Sequence, residues 1–104
     1  MNISFSESAF EDLENIKVFY HDQGVPEIGE NFVIAILKHI ETLTDYPDIG
    51  RVVSEFNEKH IRELIHPLFR VVYLRSEALL NIVRILRSER LLSLSEDEAL
   101  QLRQ

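Results

Sequence analysis

From Ala9 onward apolar residues recur at Ala9, Leu13, Ile16 and Tyr20, a four-three-four spacing that puts them on one helix face beside Phe10 and Lys17. Just before them "NISF" alternates Ile3 and Phe5 with polar residues, as a short strand does. Ser6 is the expected N-cap, and Glu7 suits the first helical turn. "DQGVPE" ends this helix, because Gly24 and Pro26 are turn residues. A second helix is expected from about Glu27 to Tyr46, with Ile28, Phe32, Ala35, Ile36, Ile40 and Leu43 on one face. Pro47 and Gly50 stop it.

Beyond Gly50 the period becomes two. "HIRELIH" (60–66), "LFRVVYLR" (68–75) and "LLNIVRILR" (79–87) are apolar, β-branched runs separated by hairpin-sized breaks, which predicts an antiparallel meander. The last two runs are apolar on both faces, the pattern of strands covered by helices. In "SLSEDEALQL", Ser95 and Glu98 have capping-box spacing ahead of Ala99, Leu100 and Leu102, so a short C-terminal helix is expected. The fold class is therefore α+β: an N-terminal strand, an α-helical hairpin, then a three-stranded antiparallel meander (βααβββ). The helices pack on one face of the sheet, and the opposite face is less well covered.

Composition narrows the chemistry. A chain of 104 residues, 45% hydrophobic, is expected to form one domain, and folding buries roughly 65% of the surface of the unfolded chain. It has no Cys, which excludes a disulfide scaffold, thiolate metal ligation and cysteine catalysis. No stretch reads as a signal peptide or approaches a membrane span, so a soluble, cytoplasmic protein is expected. The net charge of −7 is uneven. Residues 1–50 carry ten acids and two lysines, whereas residues 59–90 carry seven basic groups against three acids. Six of those seven are arginines, the side chain suited to bidentate contact with carboxylate or phosphate.

"YPDIGR" (46–51), "IRELI" (61–65), "FRVVY" (69–73) and "IVRILRSERLL" (82–92), in that order, resemble the ParE/RelE superfamily of bacterial toxins, and its ParE branch (plasmid stabilisation proteins) most. The resemblance covers residues 3–92 as the domain core and leaves 93–104 as a tail. It implies the toxin half of a type II toxin–antitoxin pair, held inactive by a ParD-like antitoxin whose C-terminal segment folds on binding. ParE toxins are associated with poisoning DNA gyrase. RelE toxins are ribosome-dependent endonucleases that cut mRNA.

Cleavage of the RelE kind needs a base, an acid and cations to hold charge on the phosphate. The candidates are Arg62, Arg70, Tyr73, Arg84 and Arg87. After Tyr73 there is no further Tyr or His, and after Lys59 no Lys, so the late general base or acid common among the mRNA-cutting relatives is missing. This favours a gyrase-binding inhibitor over a nuclease, with an inactive, antitoxin-binding relative as a further alternative. Arg62, Arg70, Arg87 and Arg90 are the candidate target-binding residues. Leu13, Ile16, Tyr20, Phe32, Ile36 and Arg84 are the candidate antitoxin-binding residues, around a groove between helices and sheet.

Structural roles compete for these side chains. Arg62 and Arg70 are placed to pair with Glu63 or Glu55, and Tyr73 reads first as a core tyrosine. His39 reads as a surface residue, and Glu11, Asp12 and Glu14 as a solvated helix face. His60 and His66 lack a third ligand, so neither a metal nor a cofactor is expected. Regular alternation to Arg87 turns Arg84 and Arg87 to opposite faces, leaving Arg87 and Arg90 as a basic edge.

Overall fold

The computed structural model describes residues 1–88. Arg90 and the expected C-terminal helix lie outside the described residues. Strand β1 (Asn2–Phe5) leads into helix α1 (Glu7–Asp22), and Ser6 makes the junction. Its Oγ accepts from Ala9 N at 3.0 Å and donates to the Val83 carbonyl at 2.7 Å, capping the helix and tying its start to a strand 77 residues away. Helix α2 (Pro26–Glu41) begins on a proline whose missing N–H costs nothing at that position. It ends before the expected Tyr46, where Thr42–Thr44 tighten into a 3₁₀ turn that buries Leu43.

The sheet has five strands where the alternation predicts four. Besides β3 (Ile61–His66), β4 (Phe69–Arg75) and β5 (Leu79–Arg87), the two residues Arg51–Val52 form β2. The order is β1-β5-β4-β3-β2, with β1 parallel to β5 and the remaining pairs antiparallel. The added strand does not show in the hydropathy, because β2 is too short to display a period, and the pairing of β1 with β5 is a long-range choice.

Alternation along β4 divides the core. Phe69, Val71 and Tyr73 join Ala9, Leu13, Ile16, Ile36 and Ile40 beneath the helices. Val72 turns the other way and packs with Val53, Ile61 and Val83, partly covered by Phe56. The face away from the helices thus has its own small apolar cluster.

Two surface expectations are overturned. His39, on the last turn of α2, is only half exposed because its ring meets His66 at the end of β3, Nδ1 to Nδ1 at 3.0 Å. Asp12 is drawn inward to β5 and is not part of a solvated face; its side chain is 10% exposed. Both contacts depend on which strand passes beneath which helix turn.

Candidate functional site: the cleft between the first helix and the last strand

Strand β1 is shorter than β5 and pairs only with Leu79–Ile82. Past Ile82, β5 runs beside α1 with no strand between them, and a cleft of about 300 Å³ opens there. Its walls include Asn15, Phe19 and Tyr20 of α1, Phe69 of β4, and Arg84 and Arg87 of β5.

One end of the cleft is closed by charge. Arg84 Nε donates to Asp12 Oδ2 at 2.8 Å and Nη2 to Oδ1 at 3.1 Å, while Oδ2 also accepts from the Ile85 amide at 2.8 Å. Asp12 therefore satisfies a guanidinium and a backbone donor that no neighbouring strand reaches. At the other end the Arg87 guanidinium lies 5.1 Å from the Phe19 ring and 5.7 Å from that of Phe69. Cation–π contact holds it there. No carboxylate among the described residues forms an ion pair with Arg87.

Arg84 and Arg87 line one cleft although strand pairing keeps them on opposite faces, as expected. Arg84 pairs with Val72 and Arg87 with Phe69, in regular register between the two; the irregularity at Val83 comes before both. The cleft lies along the open edge of β5, and from that edge the Arg84 side chain reaches Asp12 of α1.

The other predicted residues stand apart from this cleft. Arg70 is buried on the sheet face away from the helices, with Nε on Glu63 Oε2 at 2.7 Å. Its two terminal nitrogens bind the Glu55 carboxylate at 2.9 and 3.0 Å. Glu63, equally buried, also accepts from Arg51 Nε at 2.8 Å. The hydrogen bond to Glu55 chiefly holds the Arg70 pKa above its ordinary value. The expected pairing of Arg70 with Glu63 and Glu55 is therefore what the fold contains.

Arg62 lies opposite Tyr73 in the register, on the helix side of the sheet. It donates to the Gly50 carbonyl at 2.8 Å, with Asp48 Oδ1 3.7 Å from its Nε, and pairs with neither Glu63 nor Glu55. Tyr73 is fully buried. Its hydroxyl donates to the Pro47 carbonyl at 2.9 Å and accepts from the Gly50 amide at 3.0 Å. Burial raises its pKa above the phenol value of 10.0, offset in part by the Gly50 hydrogen bond. Glycine is required at position 50, since a Cβ there would lie 2.5 Å from the Tyr73 hydroxyl and 2.7 Å from the Glu63 carbonyl.

Among the candidate antitoxin-binding residues, Leu13, Ile16 and Ile36 are buried in the core, and Tyr20 and Phe32 pack against it half-covered. Ile16 and Tyr20 also form part of the cleft wall. Tyr20 stacks on Phe32 at 5.4 Å, and Phe32 meets Phe69 edge-on at 5.3 Å, so an aromatic row runs from the cleft into the layer between helices and sheet. Sequence reasoning passed over Asp12, Phe19 and Phe69. Phe19 carried a signal, as an aromatic residue off the buried stripe of an amphipathic helix; Asp12 carried none.

A helical hairpin on a sheet of this order, with an arginine-lined cleft beside its last strand, defines a small α+β domain of the ParE/RelE type. The chain belongs to the ParE toxin family: the family model described as ParE toxin of type II toxin–antitoxin system, parDE, matches residues 3–92. No curated protein matches the chain. Among solved structures it is similar to a chain of the chromosomal ParDE toxin–antitoxin system from P. aeruginosa, with a TM-score of 0.73 and 22% identity. That match covers 86% of this chain and 97% of the other, and at this identity the likeness is one of fold.

Proposed function

We propose that this protein is a growth-inhibiting toxin that acts in the cytoplasm by binding DNA gyrase, with no catalysis of its own, and that a ParD-like antitoxin neutralises it. The observation that carries this reading is the state of Tyr73. Its hydroxyl is buried and bonded on both sides, so it has no free proton to exchange with a substrate phosphate. Arg70, the arginine of "FRVVY", is likewise committed to two carboxylates. A RelE-like mRNA endonuclease, the alternative, would have to dismantle both arrangements.

The cleft between α1 and β5 suits the antitoxin's C-terminal segment. Its aromatic wall offers apolar surface, and Arg87 offers a positive charge held in place before the partner arrives. An amphipathic segment that folds on binding would fill the wall with apolar side chains and set a carboxylate on Arg87.

Induced expression in a sensitive host tests the proposal. Growth arrest relieved by the adjacent reading frame, with trapped gyrase–DNA complexes, a DNA-damage response and intact mRNA, is the expected result. Codon-positioned mRNA cleavage with unchanged DNA topology would replace it with the nuclease reading. Absence of arrest would leave an inactive relative that binds only its antitoxin.

A further inference from the structure

His39, in the last turn of α2, and His66, at the end of β3, face each other head-on. Their Nδ1 atoms are 3.0 Å apart and their ring centroids 5.2 Å, nearly the separation at which the line between the nitrogens runs through both rings. Each Nδ1 therefore points its proton or its lone pair at the other ring, the geometry of a straight N–H···N hydrogen bond. Such a bond needs one proton between the two nitrogens. With both imidazoles neutral, one ring carries its proton on Nδ1, the other on Nε2, and the bond forms. With one imidazolium it forms again, strengthened by the charge. With two, a pair of N–H groups and two positive charges meet across 3.0 Å, and the bond is lost.

Little around the pair offsets a second charge. Neither ring forms an ion pair with a carboxylate among the described residues, whereas His21 meets Asp22 and His60 meets Glu58. On β4, Phe69 stands opposite His66, with the Arg87 guanidinium of β5 5.7 Å from that ring. Arg70 and Glu63, the other charged neighbours on β4 and β3, bind each other on the opposite face of the sheet. On α2, Lys38 and Glu41 flank His39 in the chain, and Asn31, Phe32 and Ala35 share an open hollow with His66. Burial, and then the charge of His39, hold the His66 pKa below its ordinary value of 6.5.

We propose that the His39–His66 contact is an acid-released latch: it ties the end of α2 to the end of β3 while at most one imidazole is protonated, and lets go when both are. The unfolded chain takes up both protons around pH 6.5, whereas the folded chain resists the second. Below that pH the unfolded chain therefore binds more protons than the folded one. The stability supplied by the latch is full at neutral pH and falls as pH drops below about 6.5 toward the lowered folded-state value.

The test is a nitrogen-15 NMR titration of the imidazoles in the whole protein, with urea denaturation at about pH 7.5 and about pH 5. Scalar coupling between the two Nδ1 atoms, present near neutrality and lost in acid, is the expected signature of the bond. The two rings should titrate in separate steps, and His39→Gln should move the His66 midpoint upward. On acidification the parent should lose more stability than His39→Gln or His66→Gln, while His21→Gln and His60→Gln lose as much as the parent. If either latch variant fails to fold, as circular dichroism would show, the coupling and the stepwise titration of the parent decide alone. Absence of the coupling, midpoints unmoved by replacing the partner ring, or equal acid losses in the parent and the folded latch variants each overturn the proposal. The result is independent of whether gyrase, mRNA or neither is the cellular target.

Discussion

Asp12 holds Arg84 through two hydrogen bonds, of 2.8 and 3.1 Å, and caps the Ile85 amide with the same carboxylate. Replacing it with alanine leaves a half-buried guanidinium and a backbone donor unsatisfied together. Asp12→Ala is expected to cost about 2–3 kcal/mol, and Asp12→Asn, which keeps an acceptor oxygen, distinctly less. Urea denaturation of the three proteins checks the order.

Arg70 joins Glu63 and Glu55 on the face away from the helices. Breaking a buried pair from one side strands the other charge, so Arg70→Met should cost about 3–5 kcal/mol. A double-mutant cycle of Arg70→Met with Glu55→Gln should show strong coupling. Additive losses would mean that the arginine is held by something other than these carboxylates.

Tyr73 gives the fold an alkaline limit. Below pH 10 both folded and unfolded chains keep the phenolic proton, and the stability it contributes is fully present. Above pH 10 the unfolded chain releases its proton first, because burial raises the folded-state value, so stability falls as pH rises through that window. Tyr73→Phe should remove this part of the alkaline slope while costing about 1–3 kcal/mol at neutral pH through the unpaired Gly50 amide and Pro47 carbonyl. Thermal melts at pH 8 to 11 compare the two.

Arg87 should behave in the opposite way to Arg70. Its contacts are two aromatic faces at 5.1 and 5.7 Å, so Arg87→Gln is expected to cost less than about 1 kcal/mol of stability. The same change should weaken antitoxin binding and flatten its salt dependence, measured by calorimetry at two ionic strengths. Unchanged affinity would remove Arg87 from the proposed interface.

Local pattern was enough for much of the fold. β1 and β5 occupy the positions their alternation predicts, and Ser6 caps α1 where its hydroxyl could reach the open amides. The site was legible only in part. Arg87 and Tyr20 were visible as an arginine at a strand end and an aromatic residue on a helix stripe. Their shared cleft was not, because it exists only where β1 stops short of the end of β5.

Periodicity and turn residues therefore determined the two helices and the three main strands, since each depends on neighbours within a few positions, and the ordered motifs between Tyr46 and Leu92 carried the family resemblance. Tertiary structure alone decided that Asp12 meets Arg84 across 72 residues and that His39 meets His66 across 27. It also decided that Arg84, on the opposite face from Arg87, reaches Asp12 around the open edge of β5 and so lines the cleft that holds Arg87. The physical reason is register. Which side chains face each other across packed elements depends on strand pairing and on where a bulge falls, and one chain's hydropathy pattern carries neither.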